Sequence, residues 1–240
     1  MDMKRNKLIG LLSLCLLAAT FASCEDWNET EAVKQKVERP EDQNPELWAE
    51  YTAALRDYKQ SEHFIVYARL FNSPQGTSEK DFMRCLPDSL DIVSLTNADN
   101  FSKYDAEDMP AMREKGTKVL YQVDYAGRSG ELTDETKLGA YLDKVIAAVE
   151  KNGLDGYSFT GIPNAGDAAT AAAATLIVER LSAAKTEGQL LVFEGNPLFL
   201  TADALSKVDY VVLDTEATEN VTDLKMQVLN ATGYAGVPAT

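Results

Sequence analysis

The chain has 240 residues, with 38 acidic against 23 basic side chains and a net charge of −15 at pH 7. That balance makes nucleic acid and anionic membrane surfaces poor partners and leaves neutral or cationic ligands open. A single histidine, His63, excludes a His-rich metal site and a Ser-His-Asp triad chosen among several histidines; no metal and no cofactor is expected.

The N-terminus reads as an address. Lys4, Arg5 and Lys7 precede an apolar run from Leu8 to Phe21 that is too short to span a bilayer and has the build of a signal-peptide core. The run closes on Phe21-Ala22-Ser23-Cys24, which resembles a bacterial lipobox and implies lipidation of Cys24 as the first mature residue. An ordinary secretory signal with an incidental cysteine is the alternative. The acidic Glu25-Asp26-Trp27-Asn28-Glu29 that follows resembles the export signal of Bacteroidetes surface lipoproteins. The implied location is the outer membrane, facing the cell exterior, with membrane contact only through the lipid anchor. Residues 1–23 are thus expected to be the signal, 24–44 a polar tether and 45–240 one domain with a large core. Residues 1–23 carry three cations and one anion, so the chain from Cys24 onward stands at −17. With Cys15 in the signal and Cys24 lipidated, no intrachain disulfide remains, and Cys85 is expected to be a small buried hydrophobe.

Residues 45–60 predict a helix with Leu47, Tyr51, Leu55 and Tyr58 on its apolar face. His63 falls at a helix end or in a loop. Strands are predicted at Phe64–Ala68, Asp91–Leu95 and Lys118–Val123. Next comes a helix with Thr133 as its N-cap, a stripe of Leu138, Leu142, Val145, Ile146 and Val149, and a stop at Lys151-Asn152-Gly153. The fourth strand is Leu154–Ile162, with Tyr157, Phe159 and Gly161 on one face and Ser158, Thr160 and Ile162 on the other. An alanine-rich helix over about 167–185 leads to a strand at Leu190–Glu194. A short helix at Ala202–Lys207, a sixth strand at Asp209–Asp214 and a last helix over about 221–229 complete the series.

Apolar strands separated by helices predict a parallel sheet, either an open doubly wound sheet or a (β/α)-barrel. No glycine-rich phosphate loop follows any strand. Polar residues instead stand at the C-terminal strand ends: Arg69, Thr96-Asn97, Asp124, Ser158-Thr160, Glu194-Asn196 and Asp214-Glu216. A barrel builds its site there from separate loops. The expected fold is α/β, a (β/α)8 TIM-barrel type that is incomplete, with about six of the eight units.

The third strand leading to Asp155-Gly156 on the fourth, with Leu86–Val93 and Val208–Val212, resembles glycoside hydrolase family 18 over roughly residues 45–240. The likeness is to the chitinases and endo-β-N-acetylglucosaminidases, in their Bacteroidetes lipoprotein branch. The family's fourth strand reads D-G-x-D-x-D-x-E. Laid on this sequence it keeps Asp155 and Gly156, but Ser158 and Thr160 stand at the next two aspartates and Ile162 at the catalytic glutamate. In the family's substrate-assisted mechanism that glutamate protonates the glycosidic oxygen, and the neighbouring aspartate orients the attacking N-acetyl group. Ile162 has no proton to give. Glu216 stands where the family often has a tyrosine that holds the N-acetyl group.

The resemblance therefore implies a surface lipoprotein that binds N-acetylglucosamine-containing glycan, of N-glycan or chitin type, without cleaving it. Outer-membrane glycan-uptake proteins are its implied partners. Candidate contacts are Asn97, Asp124, Tyr125, Glu194, Asn196, Asp214 and Glu216. Two other readings stay open: an active glycosidase with relocated carboxylates at Glu194, Asp214 and Glu216, and a non-functional remnant.

Overall fold

The computed structural model describes residues 39–164 and 166–238. The expected signal, the lipidation at Cys24 and most of the tether lie outside the described residues. Two compact units divide at Pro45, and the described part of the first holds the short helix Pro40–Gln43.

The second unit is built on six parallel strands in the order β1 to β6: Tyr67–Leu70, Ile92–Leu95, Lys118–Val123, Gly156–Gly161, Leu190–Gly195 and Tyr210–Val212. The longer helices are α1 (Pro45–Gln60), α2 (Lys103–Glu114), α3 (Glu135–Asn152), α4 (Ala168–Ala184) and α5 (Val221–Gly233). None of the described helices is long and apolar enough to cross a membrane.

Strand alternation gives the sheet two different faces. Val93, Leu95, Val119, Tyr121, Tyr157, Phe159, Leu191 and Phe193 are buried with the apolar stripes of α3 and α4 (Leu138, Leu142, Val145, Ile177, Leu181) in one continuous core. The opposite parity forms a smaller cluster in which Ile92, Leu120 and Val192 are buried and Tyr67, Leu190 and Val212 pack against them. Further along the strands this second face turns polar. Tyr67 on β1 donates a hydrogen bond to Glu194 on β5 at 2.7 Å, although three strands separate them in the sheet. Only a sheet curled on itself brings those side chains together. The fold is a curled half-barrel of six βα units, an incomplete TIM barrel, as the sequence predicts.

An aspartate pins the start of every second strand. The carboxylates of Asp91, Asp155 and Asp209 accept from the backbone N–H of Val66, Val119 and Leu191 at 2.7, 3.0 and 2.7 Å, the first just before β1 and the others on β3 and β5. A basic partner accompanies each: His63 at 3.0 Å, Lys118 at 3.3 Å and Lys185 at 2.7 Å. Gly156, at φ 128°, lies against β5 so closely that a Cβ would stand 2.1 Å from the Leu190 carbonyl oxygen. Asp155-Gly156 is thus a piece of sheet construction, clamping β4 between its neighbours.

Several local expectations are corrected. The first strand runs Tyr67–Leu70 rather than Phe64–Ala68, and Phe64 is 97% exposed, because Asp91 fixes the pairing at Val66. On α1 the predicted apolar face lies open, with Leu47, Tyr51 and Tyr58 exposed and Thr52 buried instead. Polar bonds tie that helix down: Trp48 Nε1 to Glu114, Tyr51 to Asp88, and Lys59 to the Leu90 carbonyl. Asp134, not Thr133, caps α3 by accepting from the Lys137 N–H at 2.9 Å. Cys85 is exposed, and Met83 two residues earlier takes the buried position. Helix α2, whose buried face includes Asp105 and Asp108, gave no apolar periodicity to predict it from; a Ser102 capping box starts it.

Candidate functional site

The C-terminal ends of the strands surround a cleft of about 800 Å³. Its wall takes Tyr67 and Arg69 from β1, Thr160 and Ile162 from the end of β4, Glu194 and Asn196 from β5, and Asp214 and Glu216 from beyond β6. Asp124 follows β3 into the wall, and Gln227 and Asn230 reach it from α5. The strand residues in this wall share the inward parity, which is why alternation alone gathers them.

Glu194 is the hub of the inner face. It is 6% exposed, and Oε1 accepts from Tyr67 at 2.7 Å and Ser94 at 2.8 Å. Oε2 accepts from Gln122 Nε2 at 2.8 Å, with Arg69 Nε at 4.0 Å. Ser94 also shares a 2.7 Å hydrogen bond with Ser158, so five strands meet in one polar layer. Burial, and next the Glu194 charge, push the Tyr67 phenol far above its usual range, which keeps it a donor. Arg69 reaches past Glu194 to an ion pair with the exposed Glu216.

A second polar group stands at the rim. Thr160 donates to Asp124 Oδ1 at 2.9 Å and accepts from the Ala126 N–H at 3.0 Å. Asp124 also accepts from the Gly127 N–H at 3.0 Å, capping the short helix Tyr125–Arg128. Beside them Ile162 is 67% exposed in the cleft wall. Asp214 is exposed and accepts the Glu216 N–H at 3.1 Å, while Asn196 accepts the Leu198 N–H at 3.1 Å.

Of the residues singled out in the sequence, Asp124, Glu194, Asn196, Asp214 and Glu216 surround this one cleft, with Thr160 and Ile162. Ser158 lies fully buried beneath it. Asn97 and Tyr125 do not line it. The Asn97 N–H and Nδ2 are bonded to Asn72, joining the loops after β1 and β2. Tyr125 is 8% exposed and sits against Phe199 in the core on the other face of the sheet. Sequence reasoning missed Tyr67, Ser94 and Gln122 as site-forming residues, and Gln227 and Asn230 as lining. For the strand residues the signal was available, since each shares the inward parity of its strand.

Among the described residues no group of three or more His, Cys, Asp or Glu side chains is placed to hold a metal ion. The arrangement suits a neutral polar ligand: hydrogen-bonding side chains around an open cleft, above a fully bonded buried layer.

Fold and site together define a TIM-barrel-type protein with its site at the C-terminal strand ends, the arrangement of barrel glycosidases. A family profile described as glycoside hydrolase family 18, BT1044-like, matches residues 28–157. The chain belongs to that family. Among solved structures, an endo-β-N-acetylglucosaminidase from Cordyceps militaris is similar at 21% identity and a TM-score of 0.60, over 76% of this chain and 67% of that one. A glutamate-to-glutamine variant of BT1044 is similar at 22% identity and 0.58, over 73% and 64%. A chitinase from Bacteroides thetaiotaomicron gives 11% identity and 0.53, over 70% and 63%. The chain thus spans less than two-thirds of the BT1044 and chitinase structures. No curated protein matches it.

Proposed function

We propose that this protein is a glycan-binding member of family 18 that does not hydrolyse its ligand, and that it takes N-acetylglucosamine-containing oligosaccharide of N-glycan or chitin type. The observation that carries the reading is Ile162. It stands in the wall of an open cleft, largely exposed, at the position where the family resemblance puts the general acid. Loss of general acid catalysis alone costs about 10²–10⁴-fold in rate. Thr160 in turn carries no charge to steady an oxazolinium-like intermediate. The cleft nevertheless keeps hydrogen-bonding groups at Asp124, Asn196, Asp214 and Asn230. The relatives named as an endo-β-N-acetylglucosaminidase and a chitinase support the choice of ligand class.

One observation favours a second reading, a glycosidase with relocated carboxylates: Glu194, Asp214 and Glu216 do line one cleft. Against it, both oxygens of Glu194 are engaged by donors in the buried layer, and Glu216 is paired with Arg69.

The test is to offer the purified protein a glycan array and chitotetraose, with binding followed by calorimetry and products by mass spectrometry. Binding without product is expected. Product that disappears in Asp214→Asn or Glu216→Gln transfers the protein to the second reading, and no binding of any kind removes the first. The proposal extends to display on the outer membrane through lipid on Cys24, supported by the lipobox-like Phe21–Cys24. A tagged fatty acid should label the wild type and not Cys24→Ala, and protease should reach the protein on intact cells.

A further inference from the structure

An isoleucine two-thirds exposed at the edge of a polar cleft has an energetic cost in water that burial against a ligand would remove. The last paired residues of β4 and β5 are Gly161 and Gly195. One and two residues further, the cleft wall takes Ile162 and Pro163 from the β4 side and Pro197 from the β5 side. Leu198, next in the chain, is 52% exposed. Leu198 is not part of the cleft wall and Pro197 is buried, so the apolar ledge beside Asp124 and Asn196 is Ile162 with the half-buried Pro163.

On the other face of the sheet, packed aromatic rings support the end of β4. A Cβ on Gly161 would lie 2.5 Å from the Phe199 ring, so glycine lets that ring press directly on the end of β4. Phe199 is 4% exposed and stacks on Phe193 at 5.7 Å between centroids and 7° between planes. Phe193 packs in turn against Phe159 at 5.1 Å. These rings pack the helix-side face of the β4 end, opposite the face that presents Ile162 to the cleft. Pro163 fixes its own φ directly after Ile162. An exposed apolar surface beside hydrogen-bonding groups suits a ligand with one apolar face.

We infer that Ile162 is a ligand-contact residue, and that the ledge of Ile162 and Pro163 receives the C–H face and acetamido methyl of an N-acetylglucosamine unit. This rests on the glycan-binding reading of the cleft and adds which wall makes the apolar contact. A gluco-configured pyranose carries its hydroxyls around its edge and its axial C–H groups on its faces. Laid on the ledge, it turns its edge toward the polar wall. The isoleucine that removes the acid supplies an apolar surface in its place.

Calorimetry with chitotetraose tests this on wild type, Ile162→Ala, Ile162→Val and Leu224→Ala, the last on α5 outside the cleft. Truncation to alanine removes most of the apolar area buried on binding and should weaken affinity by roughly tenfold. It should also make the heat-capacity change of binding less negative. Ile162→Val should stay within about threefold of wild type, in line with one lost methylene, and Leu224→Ala should bind as wild type does. If wild type binds and Ile162→Ala matches it, the ledge is wrong while the glycan-binding reading stands. If wild type does not bind chitotetraose or any array glycan, both fall together.

Discussion

Glu194 carries more of the inner face than any other side chain. Four strands besides its own reach it, directly through Tyr67, Ser94 and Gln122 or through Ser94 to Ser158. Replacing it by alanine would leave three donors unsatisfied in the barrel interior, each costing about 1–3 kcal/mol when buried. Because the penalties are shared within one network, Glu194→Ala should lose about 3 kcal/mol or more in urea unfolding. Glu194→Gln keeps the volume but turns an amide N–H₂ toward a donor, so it should fall between the two. A loss under about 0.5 kcal/mol, the range of ordinary surface substitutions, would show that the layer does not hold the sheet together.

At the scale of elements, the aspartate clamps explain why the strands start where they do. An apolar run such as Phe64–Ala68 satisfies a strand pattern in more than one register. The Asp91 carboxylate fixes one of them by accepting the Val66 N–H. The clamp also holds His63, whose Nδ1 meets the Ser61 carbonyl at 2.7 Å and Nε2 meets Asp91 at 3.0 Å. The Ser61 carbonyl first, and then Asp91, raise the His63 pKa above its ordinary value. Only the imidazolium donates from both nitrogens. A raised value in the folded state means that the contribution to stability is complete below the unfolded value of about 6.5 and fades as pH climbs through the folded value. The urea midpoint of wild type should therefore exceed that of His63→Gln by more at about pH 5.5 than at about pH 8.5. An equal difference at both would show that the ring acts by packing alone.

For the whole molecule, burial is uneven. β3, β4 and β5 lie between helices and the inner layer, with nearly every residue buried. At the far side β6 is a three-residue strand with half-buried side chains and Tyr210 exposed. On α5, Val221, Leu224, Met226, Val228 and Leu229 are all exposed and only Ala231 is buried. Local stability follows burial. Amide exchange should thus be slow in β3 to β5 and fast throughout β6 and α5, and a dye that binds apolar surface should bind the native protein. Equal protection in α5 and β4 would contradict this. Gln227 and Asn230 line the cleft from that weakly held helix, so ligand binding should slow its exchange as well.

Alternation along each strand and amphipathic spacing in α3 are local properties, so the sequence by itself determined the βα order, the two faces of β4 and the parallel sheet. It also determined the absence of an acid at Ile162, since residue identity needs no coordinates. The convergence on Glu194 could not be read there: Tyr67 and Glu194 are 127 residues apart, and only the curl of the sheet makes them neighbours. Nor could the sequence separate Asn97 and Tyr125 from Asp124, because all three are polar-bearing residues at strand ends. Tertiary structure divided them, sending the Tyr125 ring into the core and spending the Asn97 amide on Asn72. The exposed state of Ile162 was decided the same way. Strand parity puts Ile162 on the inner face, and only the curl of the sheet makes the end of that face an open cleft.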